Sequence, residues 1–361
     1  MKFADYHLLG FQFSEEETNY AYIGSGGGFK GSFTQGIRDV YLENGIVPAA
    51  EFGISVNALD GAMQAMNKRA VNRQLWKAIE ESGPASITVP LLLKADMKSP
   101  DMGAIREALL PESLTTILFR LATPKGKKRL GEDIKKRFAK IKSVASNKPL
   151  LDLLAQHVRI KDFVRPFYCG AVSLTDGKYY LLGPEDFDDD YELAKFICAS
   201  ATMPIVWEPI ASVRLKDGRI LTNLVDGGLW DNSPLSAYID FVNSRPKSEK
   251  WHAIIANCGC GFTGTVGTDL NIAQIATRSL LDVALAAIFE GDVARFLQVN
   301  HLVKQSPVEL LSENGKPYRH FDYTLIQPMA DELGDTLDTS PEILQKRYAY
   351  GREYALDAII K

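Results

Sequence analysis

Tyr20-Ala21-Tyr22-Ile23-Gly24-Ser25-Gly26-Gly27-Gly28-Phe29-Lys30-Gly31-Ser32-Phe33 sets the architecture of this chain. Residues Tyr20 to Ile23 are apolar and β-compatible, whereas Phe33, Ile37, Val40 and Tyr41 recur at helical spacing, so the glycines form a strand-to-helix loop. Asn44-Gly45 stops that helix, and Gly45-Ile46-Val47-Pro48 leads into a second extended segment ending at Phe52. Strand, helix and strand in that order begin an α/β fold.

Such a loop leaves backbone N–H groups uncovered at a helix N-terminus, where the positive end of the dipole favours an anion. A phosphate-binding P-loop needs Lys followed by Ser or Thr, but Lys30 is followed by Gly31. A dinucleotide fingerprint fits Gly26, Gly28 and Gly31, with Glu51 near the distance of a ribose-binding acid. Against it, Glu51 runs straight into Phe52-Gly53-Ile54-Ser55, a second tight strand-to-helix turn. The third use is an oxyanion hole, with N–H donors from Gly26, Gly27, Gly28, Phe29, Lys30 and Gly31.

An oxyanion hole requires a nucleophile. Gly53-Ile54-Ser55-Val56-Asn57 offers Ser55 at the top of a sharp turn, followed by a buried-helix pattern from Val56 to Met66. Taken alone, Ser55 reads equally as the N-cap of a core helix. Asp226 follows the β-like run Arg219 to Val225 and precedes Gly227 and Gly228. That position is the carboxyl end of a strand, the edge where open α/β sheets bind ligands, although an isolated Asp-Gly is more often a plain turn. His7, His157, His252, His301 and His320 have no turn chemistry around them and read as surface or core histidines. As a set, the three segments describe acyl hydrolysis through a serine.

These segments resemble those of the patatin-like phospholipases, a family of serine lipid acyl hydrolases. Ala199 to Pro209, Asp226 to Pro234, Thr175-Asp176-Gly177 and Asn257 to Gly261 also have counterparts there, so the likeness covers residues 20–60 and 160–262 well and the rest poorly. The resemblance implies a three-layer sandwich: a central, mostly parallel sheet flanked by helices, plus a helical insertion. It further implies a Ser-Asp dyad without histidine, Ser55 as nucleophile and Asp226 as base, with the oxyanion donors from the Gly26–Lys30 backbone. One departure is Asn57, which stands where the elbow usually has a second Gly. An accommodated variant is the expectation, and Asn57→Gly should then preserve or raise activity. The implied function is phospholipase A or lysophospholipase chemistry through an acyl-enzyme. Acyl transfer with the same dyad, or a non-catalytic lipid-binding relative, are the alternatives.

Ordinary apolar and charged fractions over 361 residues support one large domain, 1–361. Within it, a helical insertion is expected at about 84–161 and a helical C-terminal part at about 270–361. The insertion is basic, with Lys125, Lys127, Lys128, Arg129, Lys135, Lys136, Arg137, Lys140, Lys142 and Lys148 against only Glu132 and Asp133 between Leu121 and Leu150, in a chain of formal net charge −4. It reads as a solvated helix face or as a peripheral contact with anionic membrane lipids. Nucleic acid is not indicated, since no aromatic interleaving accompanies the charge. The acidic run Glu185 to Glu192 lacks the spacing of a calcium loop and suits a helix start. Cys169, Cys198, Cys258 and Cys260 form neither a disulfide framework nor a zinc pattern, since Cys258-Gly259-Cys260 reads as part of a strand-like run, and they read as reduced core thiols. No metal or cofactor is expected. The N-terminus lacks the basic start and apolar stretch of a secretory signal and no run is long enough to span a membrane, so cytoplasmic residence is the expectation. The sequence leaves the oligomeric state open.

Overall fold

The computed structural model describes residues 18–95, 99–259, 267–270, 275, 278–311, 317–329 and 332–360. Its centre is an eight-stranded sheet in the order β10 (Asp322–Ile326), β9 (Lys250–Ala256), β1 (Thr18–Gly24), β2 (Ala50–Gly53), β5 (Phe167–Ser173), β8 (Ile220–Asp226) and β7 (Ile210–Arg214), with β6 (Tyr179–Leu182) also paired to β5. Strands β10, β9, β1, β2 and β5 run parallel. Strands β6 and β8 are antiparallel to β5, and β7 to β8.

Successive side chains of a strand point to opposite faces, and the core divides accordingly. Tyr22 and Ile254 pack with Phe33, Ile37 and Tyr41 of α1 (Gly31–Glu43) and Ala355 of the C-terminal helix, Pro341–Ile360. Ala21, Ile23 and Ile255 pack on the other face with Tyr238 of the helix Leu235–Asn243 and Phe296 of the helix Leu285–Gln305. Farther along the first face, α2 (Val56–Ala65) and the helices Lys148–His157 and Asp190–Ser200 enclose Phe167, Cys169 and Leu224. The result is a mostly parallel sheet between helical layers, the α/β sandwich expected from the sequence. Asp189 caps the helix Asp190–Ser200 by accepting the N–H groups of Tyr191 and Glu192, which gives part of the acidic run its local role.

With α3 at Arg69–Ser82, the chain then makes a small antiparallel pair, β3 (Val89–Pro90) with β4 (Ala145–Ser146). Between them lie α4 (Met102–Leu109), α5 (Leu114–Leu121) and α6 (Pro124–Phe138), started by the caps Asp101, Ser113 and Thr123. Such a cap is worth about 1 kcal/mol, so these helices form with little core beneath them. In chain order the helices Lys148–His157, Asp190–Ser200, Leu235–Asn243, Leu285–Gln305 and Pro341–Ile360 are α7, α8, α9, α10 and α11.

Three findings differ from the sequence reading. The C-terminal part expected as helices also contributes β10, whose alternation Tyr323-Thr324-Leu325-Ile326 has the period of a strand. Cys258 lies beyond β9, which ends at Ala256, rather than inside a strand; Cys169, Cys198 and Cys258 are buried free thiols, and Cys260 lies outside the described residues. Strand β8 is antiparallel to β5, so Asp226 does not sit at the common carboxyl edge by strand direction. It reaches that edge because β5 runs past the end of β2: Gly53 pairs with Cys169, and Asp226 pairs with Ala171 two residues farther on. Among the described residues no helix is long and apolar enough to cross a membrane.

Candidate active site

The turn between β2 and α2 holds Ser55 at φ 57° and ψ −124°, outside the region open to most side chains. Strain of this kind costs about 1–3 kcal/mol and survives only where the surroundings enforce it. Here Gly53 ends the strand, Ile54 is fully buried, and Val56 starts the helix. The Ser55 N–H is held by Ser200 Oγ at 3.2 Å, so the small-residue stretch of α8 steadies the elbow.

Glycine 26 closes the other side. A Cβ there would lie 3.2 Å from Ser55 Cβ and 2.4 Å from Asn232 Oδ1, so only glycine lets the loop lie against Ser55. The six residues expected as oxyanion donors are not equivalent. The Gly26 N–H donates to Asn232 O at 3.2 Å, Phe29 to Thr336 O at 3.0 Å and Lys30 to Gly27 O at 3.1 Å. Gly31 donates back to Gly28 and Phe29. Among the described residues, only the N–H groups of Gly27 and Gly28 in this run find no protein acceptor.

Asn57 is 1 % exposed, and its Nδ2 donates to Ser25 O at 2.7 Å. The side chain occupies space that β1 gives up, since a Cβ on Gly24 would fall 2.4 Å from Asn57 Cγ. The glycine missing from the elbow therefore has a counterpart on the neighbouring strand. The hydrogen bond ties the elbow to the start of the glycine loop.

Asp226 is buried and accepts the Gly228 N–H at 2.8 Å through Oδ1, with the Ser55 hydroxyl beside it. Burial pushes its carboxyl up to about 6, and these two donors restrain the rise. Gly227 and Gly228 form the turn that follows, both buried. The histidines stand apart. His252 pairs with Tyr20, four strand residues before the Gly24–Ala256 edge and roughly 13 Å away along the strand. Burial lowers it to about 4. His157 ends α7, and His7 lies outside the described residues. Glu51, the ribose-binding candidate, is fully buried against Arg38, both carboxylate oxygens 2.8 Å from Nη1. It is a core ion pair beneath α1.

From Ser55 a cavity of ≈50 Å³ runs into the α2 face, walled by Val56, Leu59, Ile79, Leu150, Met203 and Trp207. Trp207 is fixed by its indole N–H on Thr88 Oγ1 at 2.8 Å. Asp60 also lines this cavity, donated to by Trp76 Nε1 at 3.2 Å and raised to about 6 by burial. Sequence reasoning gave no role to Ser200, Asn232, Thr336 or Asp60. Asn232 alone carried a local signal, since it lies six residues after Asp226 on the same glycine turn.

The family model for the patatin-like phospholipases matches residues 25–239. Among solved structures the chain is similar to VipD from Legionella pneumophila, with 14% identity and a TM-score of 0.39 over 98% of this chain and 70% of that one. No curated protein matches the chain.

Proposed function

The chain belongs to the patatin-like phospholipase family, whose members are lipid-hydrolysing esterases, and we propose that it hydrolyses an acyl ester of a phospholipid or lysophospholipid through Ser55 and Asp226. The observation that carries this reading is Ser55, held at positive φ beside the buried carboxylate of Asp226, with Gly26 pressed against it.

In the reaction Asp226 accepts the hydroxyl proton while Ser55 Oγ bonds to the ester carbonyl carbon. The carbonyl oxygen takes up the electron pair, and the unpaired N–H groups of Gly27 and Gly28 at the N-terminal end of α1 are the donors for that charge. Collapse expels the alcohol or lysolipid, which takes the proton from Asp226. A water then gives its proton to Asp226 and its oxygen to the acyl carbon, and Asp226 passes that proton to Oγ as the fatty acid leaves, restoring Ser55. A carboxyl raised to about 6 by burial is a stronger base than one in water, yet still ionised at neutral pH.

The accommodation of Asn57 against Gly24 favours a working elbow over a non-catalytic relative. For approach to lipid, the basic helix α6 and the exposed Leu118 and Phe119 of α5 support peripheral docking on an anionic membrane.

The test is fatty acid release from mixed phospholipid vesicles by wild type, Ser55→Ala and Asp226→Asn, read by lipid mass spectrometry. Release by wild type and its loss in both variants is the expected result. Full release by Ser55→Ala would sink the reading.

A further inference from the structure

On the face opposite the small apolar cavity, a second one of ≈540 Å³ opens between α9, α10 and the segment before β10. That volume lies within the range of small-molecule sites. Its walls include Trp230, Phe296, Tyr318 and Phe321, four aromatic residues from three parts of the chain. Asp231 and Asp292 line it as well, and so do Arg295 and Arg319.

Burial, then Asp292, pushes Asp231 up to about 7, and burial also raises Asp292. Ser236 Oγ donates to Asp231 at 3.3 Å, and Arg319 is anchored on Val242 O at 3.0 Å. Nothing in the dyad chemistry uses this arrangement. Aromatic faces beside carboxylates recognise alkylammonium groups, and guanidinium groups recognise phosphate.

One residue joins the cavity to the reaction centre. The Asn232 N–H donates to Asp292 Oδ2 at 3.0 Å, while its side-chain oxygen lies where a Cβ on Gly26 or Gly228 would fall, 2.4 and 2.9 Å away. Trp230 and Asp231 continue the turn that starts at Asp226. A lipid ester at Ser55 would thus have an apolar recess on one face of the sheet and an aromatic, charged one on the other.

We propose that this second cavity binds the phosphoalkylammonium headgroup of a zwitterionic phospholipid, with the ammonium between Asp231, Asp292 and the aromatic walls and the phosphate toward Arg295 and Arg319. The inference rests on the lipid-ester reading above and specifies which lipid that site takes. The same chemistry is offered by a free phosphoalkylammonium compound, so the experiment has two arms.

In the first, phosphocholine is titrated into Ser55→Ala protein by NMR, alone and combined with Asp292→Asn, Trp230→Ala or Arg295→Glu. Binding is expected, weakened about tenfold by each added variant. Because no turnover is involved, this arm is independent of whether the dyad is correct. In the second, the ratio of turnover on phosphocholine over phosphoglycerol lipids of equal chain length is measured in otherwise wild-type protein and in the three variants. The ratio cancels general damage to the fold. It is expected to favour phosphocholine and to fall about tenfold in Asp292→Asn and Trp230→Ala. Absence of phosphocholine binding, or binding matched by inorganic phosphate and untouched by Trp230→Ala, overturns the site. Binding without any headgroup preference in turnover overturns its assignment to the lipid.

Discussion

The segment from Thr18 to Met66 and the segment from Met102 to Lys142 are opposite solutions within one chain. In α1 every residue from Gly31 to Tyr41 is buried, and in α2 every residue is. In α4 none is, and in α6 only Leu130. The first segment must hold a strained serine, and each neighbour is specified by shape. The second has to remain in solution while presenting charge and apolar side chains, Phe119 at 79 % exposure among them, so its composition matters more than its exact order. Precision of packing and tolerance of substitution should therefore change abruptly across α3.

Several substitutions would sharpen or break that contrast. The largest effect is expected at the dyad, where Ser55→Ala and Asp226→Asn should each lower kcat by about 10³-fold or more. Asp226→Asn should at the same time raise the thermal midpoint at pH 8. The folded-state value of Asp226 is raised, so its ionised form weakens the fold above pH 6, and the amide removes that charge. A lower midpoint at pH 8 would contradict the burial argument.

Next comes Gly24→Ala, whose Cβ would meet Asn57 at 2.4 Å and should cost about 2–3 kcal/mol in chemical unfolding. Asn57→Gly removes that obstacle but also the hydrogen bond to Ser25 O, so alone it should destabilise by about 1–3 kcal/mol and slow turnover. This reverses the expectation from the elbow motif alone. The double variant should be more stable than the two costs added together, and simple additivity would mean the two sites are not complementary.

Smaller again is the pH effect. With Asp226 acting as base, kcat/KM should fall about tenfold per pH unit below 6 and level off above it, measured on a soluble ester. A profile flat between pH 5 and 7 would remove Asp226 from that role. The smallest stability effect is expected for Leu118→Ser with Phe119→Ser, within about 0.5 kcal/mol of wild type. Sedimentation with anionic vesicles should nonetheless drop, and a variant that unfolded would show α5 to be part of the core.

What could be read from the sequence follows the same division. The glycine run, the elbow and the Asp226 turn were legible because backbone conformations of that kind admit few residue types, and such limits appear locally. The exchange of glycine between the elbow and β1 was not, since Gly24 and Asn57 meet only across strands. Nor could the direction of β8 be known, although it decides how Asp226 arrives beside Ser55. The loss of Phe29 N–H to Thr336 O, and the approach of Asp292 to Asn232, join residues some 300 and 60 positions apart and leave no periodic trace. Strand β10 did leave one, in the alternation from Tyr323 to Ile326, and charged neighbours obscured it.

The bond from Phe29 to Thr336 also sets an order of events. A chain synthesised at roughly 5–20 residues per second carries Ser55 for tens of seconds before Thr336 exists. Through that interval the glycine loop lacks its anchor, and β1 waits for β9 to pair with it. A nascent chain stalled before residue 250 should show no esterase activity. On the dyad proposed above, the chemistry of Ser55 waits for residues synthesised long after it.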